Sequence, residues 1–187
     1  MNKQVVIYLT LSVLVVASYF LQDWLSPKPI PVQPGNAHRP DSFARNFKKI
    51  TMTEEGKPKY TLFAQGMVHF RENDVTRLKM PQFSYFSPDS PPWVVRSQRG
   101  SIRSQGETIF LTGDVSITRN AAPGIEPIII NTQKLIIKPK IDYAETSEFA
   151  ELISNRNRVS GIGLSFYFGE HKTIKLFSNV RGTYDDR

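Results

Sequence analysis

The side chains able to make or break bonds are scattered along this chain, and no spacing assembles them into a reacting group. His38, His69 and His171 stand far apart in unlike surroundings. They form no His-Glu-x-x-His pair for zinc and no triad spacing for an activated nucleophile. The absence of cysteine excludes disulfides, thiolate chemistry and Cys-ligated zinc or iron–sulfur sites. Gly161-x-Gly163 lies inside an alternating run, without the strand–turn–helix setting of a phosphate-binding loop, and reads as a bulge or a close strand approach. Glu54-Glu55 precedes Gly56 as turn residues, and Asp185-Asp186 sits at the C-terminus. No catalytic residue, metal ligand or cofactor is expected, so the chemistry open to this chain is that of apolar surface and backbone hydrogen bonds.

Those surfaces are set out by period-two alternation, the pattern of strands with one face buried. Ile109, Leu111, Gly113, Val115 and Ile117 share one face, with Phe110, Thr112, Asp114, Ser116 and Thr118 on the other. Ile162, Leu164, Phe166 and Phe168 form a second run; Tyr60, Leu62 and Ala64, and Ile174 with Leu176, form shorter ones. Turn signals fall between them at Glu55-Gly56, Glu72-Asn73-Asp74, Ser87-Pro88-Asp89, Gln105-Gly106, Pro123-Gly124 and residues 155–157. Helical periodicity is hard to find after Pro40. The expected class is all-β, a sandwich, barrel or roll.

A short repeat sharpens this. Tyr60-x-Leu62-x-Ala64-Gln65 recurs as Trp93-x-Val95-x-Ser97-Gln98, as Ile128-x-Ile130-x-Thr132-Gln133 and as Ile174-x-Leu176-x-Ser178-Asn179. Each copy pairs two inward apolar residues with a small residue and then an amide. A small residue is expected where another strand or a ligand passes closely, with the amide bonding backbone where the chain bends. Stacked units of this kind leave the first and last strands as unpaired margins. The candidates are residues 47–53 and 173–184, which lack proline and carry Lys48, Lys49, Lys175 and Arg181, with Lys172 just before the second. Such margins can join neighbouring molecules by strand addition.

The N-terminus is of another kind. Residues 4–22 are uncharged and flanked by Lys3 and Asp23; as a helix they span roughly 28 Å, close to a bilayer's hydrocarbon thickness. A retained membrane anchor over residues 1–25 is expected, with Tyr19 and Trp24 suited to the interface. The alternative is a cleaved signal, with Val15-Val16-Ala17 offering small residues for processing; both readings place the remainder of the chain across the membrane. The anchor's small residues Ser12, Ala17 and Ser18 permit close helix packing. Residues 26–42 form a Pro-rich spacer of extended geometry, and residues 43–187 have the size of one domain. The net charge of +7 lies wholly beyond the anchor; there it reads as a solvated basic surface or one facing anionic lipid ahead of nucleic acid.

Together, the single N-terminal anchor, Tyr60-x-Leu62-x-Ala64, Pro92-Trp93, Leu111-x-Gly113-x-Val115 and Val180-Arg181-Gly182-x-Tyr184 resemble the LptC family, bitopic components of the lipopolysaccharide export machinery of Gram-negative bacteria. The resemblance implies a twisted β-jellyroll in the periplasm with an apolar groove, a single-pass anchor in the inner membrane, and no enzymatic activity. It also implies contact with lipopolysaccharide, with the inner-membrane ABC transporter complex of the same pathway, and with a soluble periplasmic bridge protein of similar fold. Groove lining is expected from Leu62, Ala64, Ile109, Leu111, Val115, Ile117, Leu135, Ile137, Leu164 and Leu176, for each of which plain core packing is the other reading. Partner docking is expected at Phe47 and Ile50 on the first margin and at Ile174, Leu176, Val180 and Tyr184 on the last. Arg96, Arg99 and Arg103 are candidates for a phosphate-binding rim. A membrane-tethered periplasmic scaffold that binds only proteins is the alternative function.

Overall fold

The structure, a computed structural model, describes residues 40–88, 90–103, 106–169 and 173–184, together with Gln4, Tyr8, Ser12, Leu14, Val16, Ser18, Tyr19 and Leu21. Those eight N-terminal residues are helical, and among the described residues no helix is long and apolar enough to cross a membrane. Most of the expected anchor and spacer, Ala17 included, lies outside the described residues. The chain divides into two compact units, residues 1–36 and 37–187. Among the described residues, the second contains every strand and the hydrophobic core.

That unit is an all-β antiparallel jellyroll of eleven strands. In chain order they are β1 (Ser42–Met52), β2 (Pro58–Phe70), β3 (Val75–Lys79), β4 (Gln82–Ser87), β5 (Ser90–Arg96), β6 (Arg99–Arg103), β7 (Thr108–Arg119), β8 (Ile128–Lys138), β9 (Tyr143–Ser154), β10 (Asn157–Tyr167) and β11 (Thr173–Thr183). One edge of β2 is covered by β1; the other passes from β4 at residues 60–63 to β3 at residues 66–70. β7 repeats the arrangement, shared between β6 and β5 on one side and paired with β8 on the other. β8, β9, β10 and β11 follow in order, so β1 and β11 each have one neighbour. The two expected margins are the two ends of the sheet. The first begins at Ser42, earlier than residue 47, because Arg45 and Asn46 interrupt the alternation without ending the pairing.

The repeat marks a kink line across the sheet. Asn46, Met80, Asp114 and Asn179 have positive φ near 50°, and Gly113 and Gly163 lie at 78° and 77°. Register shifts between Thr112 and Val115, Thr132 and Ile136, and Ile162 and Leu164 mark the same line. Ala64-Gln65, Ser97-Gln98, Thr132-Gln133 and Ser178-Asn179 all sit on it. Bulges turn backbone carbonyls out of the ladder, and the small residue's hydroxyl answers them. Ser97 Oγ donates to the Arg99 carbonyl (3.0 Å), Thr132 Oγ1 to that of Phe149 (2.9 Å) and Ser178 Oγ to that of Ile162 (3.2 Å). The expected role of the amide therefore belongs mainly to the hydroxyl before it; Gln98 Nε2 instead donates to the Asp114 carboxylate. Gly163 carries a further correction. Its bulge reverses the facing of β10, so Ile162 is exposed while Leu164, Phe166 and Phe168 are buried.

Aromatic packing closes the roll. The Phe166 ring lies 4.4 Å from Trp93 and 4.5 Å from Phe168, which stacks on Tyr85 at 5.3 Å. This joins the end of β10 to β4 and β5 across the core. A polar clasp lies beside it. Asp142, between β8 and β9, accepts from the Phe168 N–H (2.8 Å) through its carbonyl, and its carboxylate lies 3.0 Å from Lys59 Nζ. Tyr85 shares this corner of the core; burial first and the Asp142 charge second push its pKa up to about 12.

Candidate functional site

Away from the aromatic closure the two walls do not meet completely. Between β1 and β2 on one side and β6 and β7 on the other lies a cavity of about 180 Å³. Phe47, Tyr60, Leu62, Met67, Ile102 and Ile109 supply its apolar wall, and Lys49, Asp74, Thr76 and Gly106 complete it. Pairing explains the convergence. Lys49 faces Leu62 across the β1–β2 ladder, and Thr76, Ile102 and Ile109 stand in register along β3, β6 and β7, so all point inward. Sites that enclose a whole small molecule occupy about 300–1,000 Å³, so this cavity is too small for one and has the volume of a short apolar segment.

The expected lining residues sit in one continuous core. All of them except Leu176 are at most 3% exposed, and Leu176 packs against the same cluster, partly buried. Leu62 and Ile109 border the cavity. Leu111 and Leu135 instead border a groove of about 340 Å³ with Phe110, Ile136, Lys134 and Phe177, where the Phe177 ring of β11 lies against Gly163. Ala64, Ile117, Ile137 and Leu164 border neither, and Val115 borders a separate hollow with Asn131, Gln133 and Phe149. Met67, Thr76 and Ile102 line the cavity although nothing in the sequence singles them out; Tyr60, also in the lining, is not among the residues expected there but shares the alternating face of Leu62 in the first repeat copy.

On the margins, Phe47 points into the cavity, whereas Ile50 is exposed on the outer face. Ile174 is half-buried against the core; Val180 and Tyr184 are exposed at 54% and 68%. Two large exposed side chains were not expected, Phe43 on β1 and Phe177 on β11. The three arginines expected at a rim do not border this cavity. Arg103 neighbours the cavity residue Ile102 and so points to the opposite face, where it covers the Phe110 ring at 5.0 Å. Arg99 is likewise exposed outward, and Arg96 Nε donates to Gln82 Oε1 (3.0 Å) on the far side of the kink line.

Among the described residues no cluster of three His, Cys, Asp or Glu can hold a metal ion. The shifted carboxylates have structural partners. Glu145 is held below the usual carboxylate range by Lys138, and Glu107 by Lys140. The site is therefore an apolar cavity beside an edge strand, on a sheet with two open ends. The sequence matches the family described as lipopolysaccharide-assembly, LptC-related, over residues 7–185. The chain belongs to that family. No curated protein matches it in sequence. Among solved structures, it is similar to LptH, the LptA-homologous periplasmic component of the lipopolysaccharide transport device of Pseudomonas aeruginosa. The two are 7% identical, with 81% of this chain and 99% of that one aligned at a TM-score of 0.46. Membership in the LptC-related family assigns the jellyroll to lipopolysaccharide assembly.

Proposed function

We propose that this chain receives lipopolysaccharide from the inner-membrane ABC transporter complex and passes it to a soluble periplasmic bridge protein. In this reading, residues 1–25 anchor it as a single-pass inner-membrane protein and its jellyroll works in the periplasm. The observation that carries the reading is the apolar cavity lying against β1, an edge strand, on a sheet whose other edge is also open. Acyl chains must stay out of water while sugars and phosphates stay in it. Each shielded methylene is worth about 0.8 kcal/mol, so a chain of roughly twelve carbons would gain roughly 9 kcal/mol if covered along its whole length, which needs more cover than this cavity alone. The β1 margin then meets the transporter and the β11 margin the bridge protein, each through main-chain pairing. The work of lifting lipid from the bilayer belongs to the ATP-driven partner, since this sequence carries no nucleotide-binding motif.

A second reading, a tethered scaffold that binds only proteins, is favoured by the filled core: the residues expected to line a groove are almost entirely covered by one another. Titration of purified residues 37–187 with lipopolysaccharide separates the two. Saturable binding that acyl-chain analogues displace supports transport; absence of binding, with retained capture of the bridge protein, supports the scaffold.

A further inference from the structure

The outer face of the roll carries charge in two different ways. On the side of β7, β8 and β9 the lysines hold carboxylates: Lys134 with Glu148 at 2.6 Å, Lys138 with Glu145 at 2.8 Å and Lys140 with Glu107 at 2.7 Å. On the side of β1, β3 and β6, Arg45, Arg77, Lys79, Arg99 and Arg103 are exposed. Among the described residues, none of these five is paired with a carboxylate. The register gathers them. Arg45, Gly66, Lys79 and Arg99 stand opposite one another in one row, and Phe43, Val68, Arg77 and Ser101 in the next.

Lys79 and Arg99 are direct cross-strand neighbours, an arrangement in which like charges destabilise a sheet. Arg77 and Arg103 find only aromatic faces, Phe70 at 4.7 Å and Phe110 at 5.0 Å. Two carboxylates of adjoining segments are engaged elsewhere, Asp41 with Arg71 and Asp114 with Gln98, and Glu72 in the β2–β3 connection pairs with none of the five among the described residues. Exposed apolar side chains flank the cations: Phe43, 81% exposed in the Arg77 row, and Met80, 45% exposed directly after Lys79. None of the five cations borders the three cavities described above. A broad field of exposed cations spread over three strands and edged by an exposed aromatic suits an extended anionic surface better than a single head group. β1 is also the strand nearest in sequence to the apolar run at residues 4–22.

We propose that this face docks on the anionic phospholipid surface of a membrane, its cations on head-group phosphates and Phe43 and Met80 in the interfacial layer. This goes beyond the export reading, since the cavity and its cargo take no part. The test is co-sedimentation of residues 37–187, a unit with its own complete core, with phosphatidylglycerol–phosphatidylethanolamine vesicles and with phosphatidylcholine vesicles. The expected result is binding to the anionic vesicles alone, weakening steeply as salt rises from about 0.05 M to about 0.5 M. Combined Arg77→Gln, Lys79→Gln and Arg99→Gln should lower the partition coefficient about a hundredfold, about fivefold per cation removed. The carboxylate-paired control Lys134→Gln with Lys138→Gln should retain binding. Removing the facing Lys79–Arg99 charges should leave thermal unfolding unchanged or raise it; if the triple variant fails to fold, the salt series on the unaltered unit decides. Equal binding to both vesicle types, no salt dependence, or binding confined to lipopolysaccharide micelles would overturn the proposal. Those results would leave cavity binding of lipopolysaccharide standing, so the two readings fail separately.

Discussion

Gly163→Ala tests the kink line at its most constrained point. At φ +77° the residue lies where L side chains are rarely found, costing roughly 1–2 kcal/mol for a single alanine. A Cβ there would sit 2.8 Å from Phe177 Cδ2 and within 3.6 Å of that residue's Cβ and Cγ. The ring must therefore leave. Because Phe177 is already 62% exposed, it forfeits only part of the roughly 1.5–3 kcal/mol that full burial of such a side chain provides, about 0.5–1 kcal/mol. The sum, about 2 kcal/mol, lowers Tm by about 4–8 °C for a unit of this size. Circular dichroism melts of residues 37–187 measure it, and hydrogen exchange should show β11 amides losing protection before the rest. Gly66→Ala is the control, with ordinary φ and its nearest contact, Lys79 Cβ, at 3.6 Å. Equal melting of Gly163→Ala and the unaltered unit would refute the bulge geometry on which the kink line rests.

Further predictions concern the kink, the clasp and the margins. Thr132→Val keeps the shape but leaves the Phe149 carbonyl unanswered, and should cost about 1–3 kcal/mol by chemical denaturation; Ser116→Ala, on the outer face, should cost little. Tyr85 ionises at about 12 in the folded unit against 10.0 ordinarily. Its folded pKa is raised, so its contribution to stability is complete below pH 10 and is lost as pH climbs toward 12. Asp142→Asn should bring the Tyr85 transition back toward its ordinary value in the ultraviolet phenolate band. Val180→Lys with Tyr184→Lys blunts the β11 margin with charge and should weaken bridge-protein binding at least about tenfold, with Tm unmoved; undiminished capture would place that partner elsewhere. If the margins do mediate assembly, main-chain pairing sets affinity and these exposed side chains set which partner is accepted.

Much of the roll was legible because period-two alternation is a direct imprint of a half-buried strand. The repeat read from four short segments proved to mark the bends, since a strand that kinks needs a small residue and a hydroxyl for the freed carbonyl. Phase was harder. The bulge at Gly163 reverses the facing of Ile162, and hydropathy alone cannot distinguish a glycine that bends a strand from one that merely thins it. β3 and β6 were hidden for a different reason: Val75–Lys79 and Arg99–Arg103 are short, and their outward cations outweigh their inward residues. The cavity was the least legible feature. Whether an inward residue packs or borders a void depends on the side chains of the facing wall, so Leu62 and Ile109 could not be separated from Val115 and Ile117 by sequence.

Photo-crosslinking tests the lipid-carrying interior most directly. A photoreactive residue placed at Met67, inside the cavity, is expected to capture lipopolysaccharide in cells with an active exporter, while one at Phe63, on the outer face of the same strand, is expected to capture little. Equal capture from both positions, or none from Met67, would contradict the account.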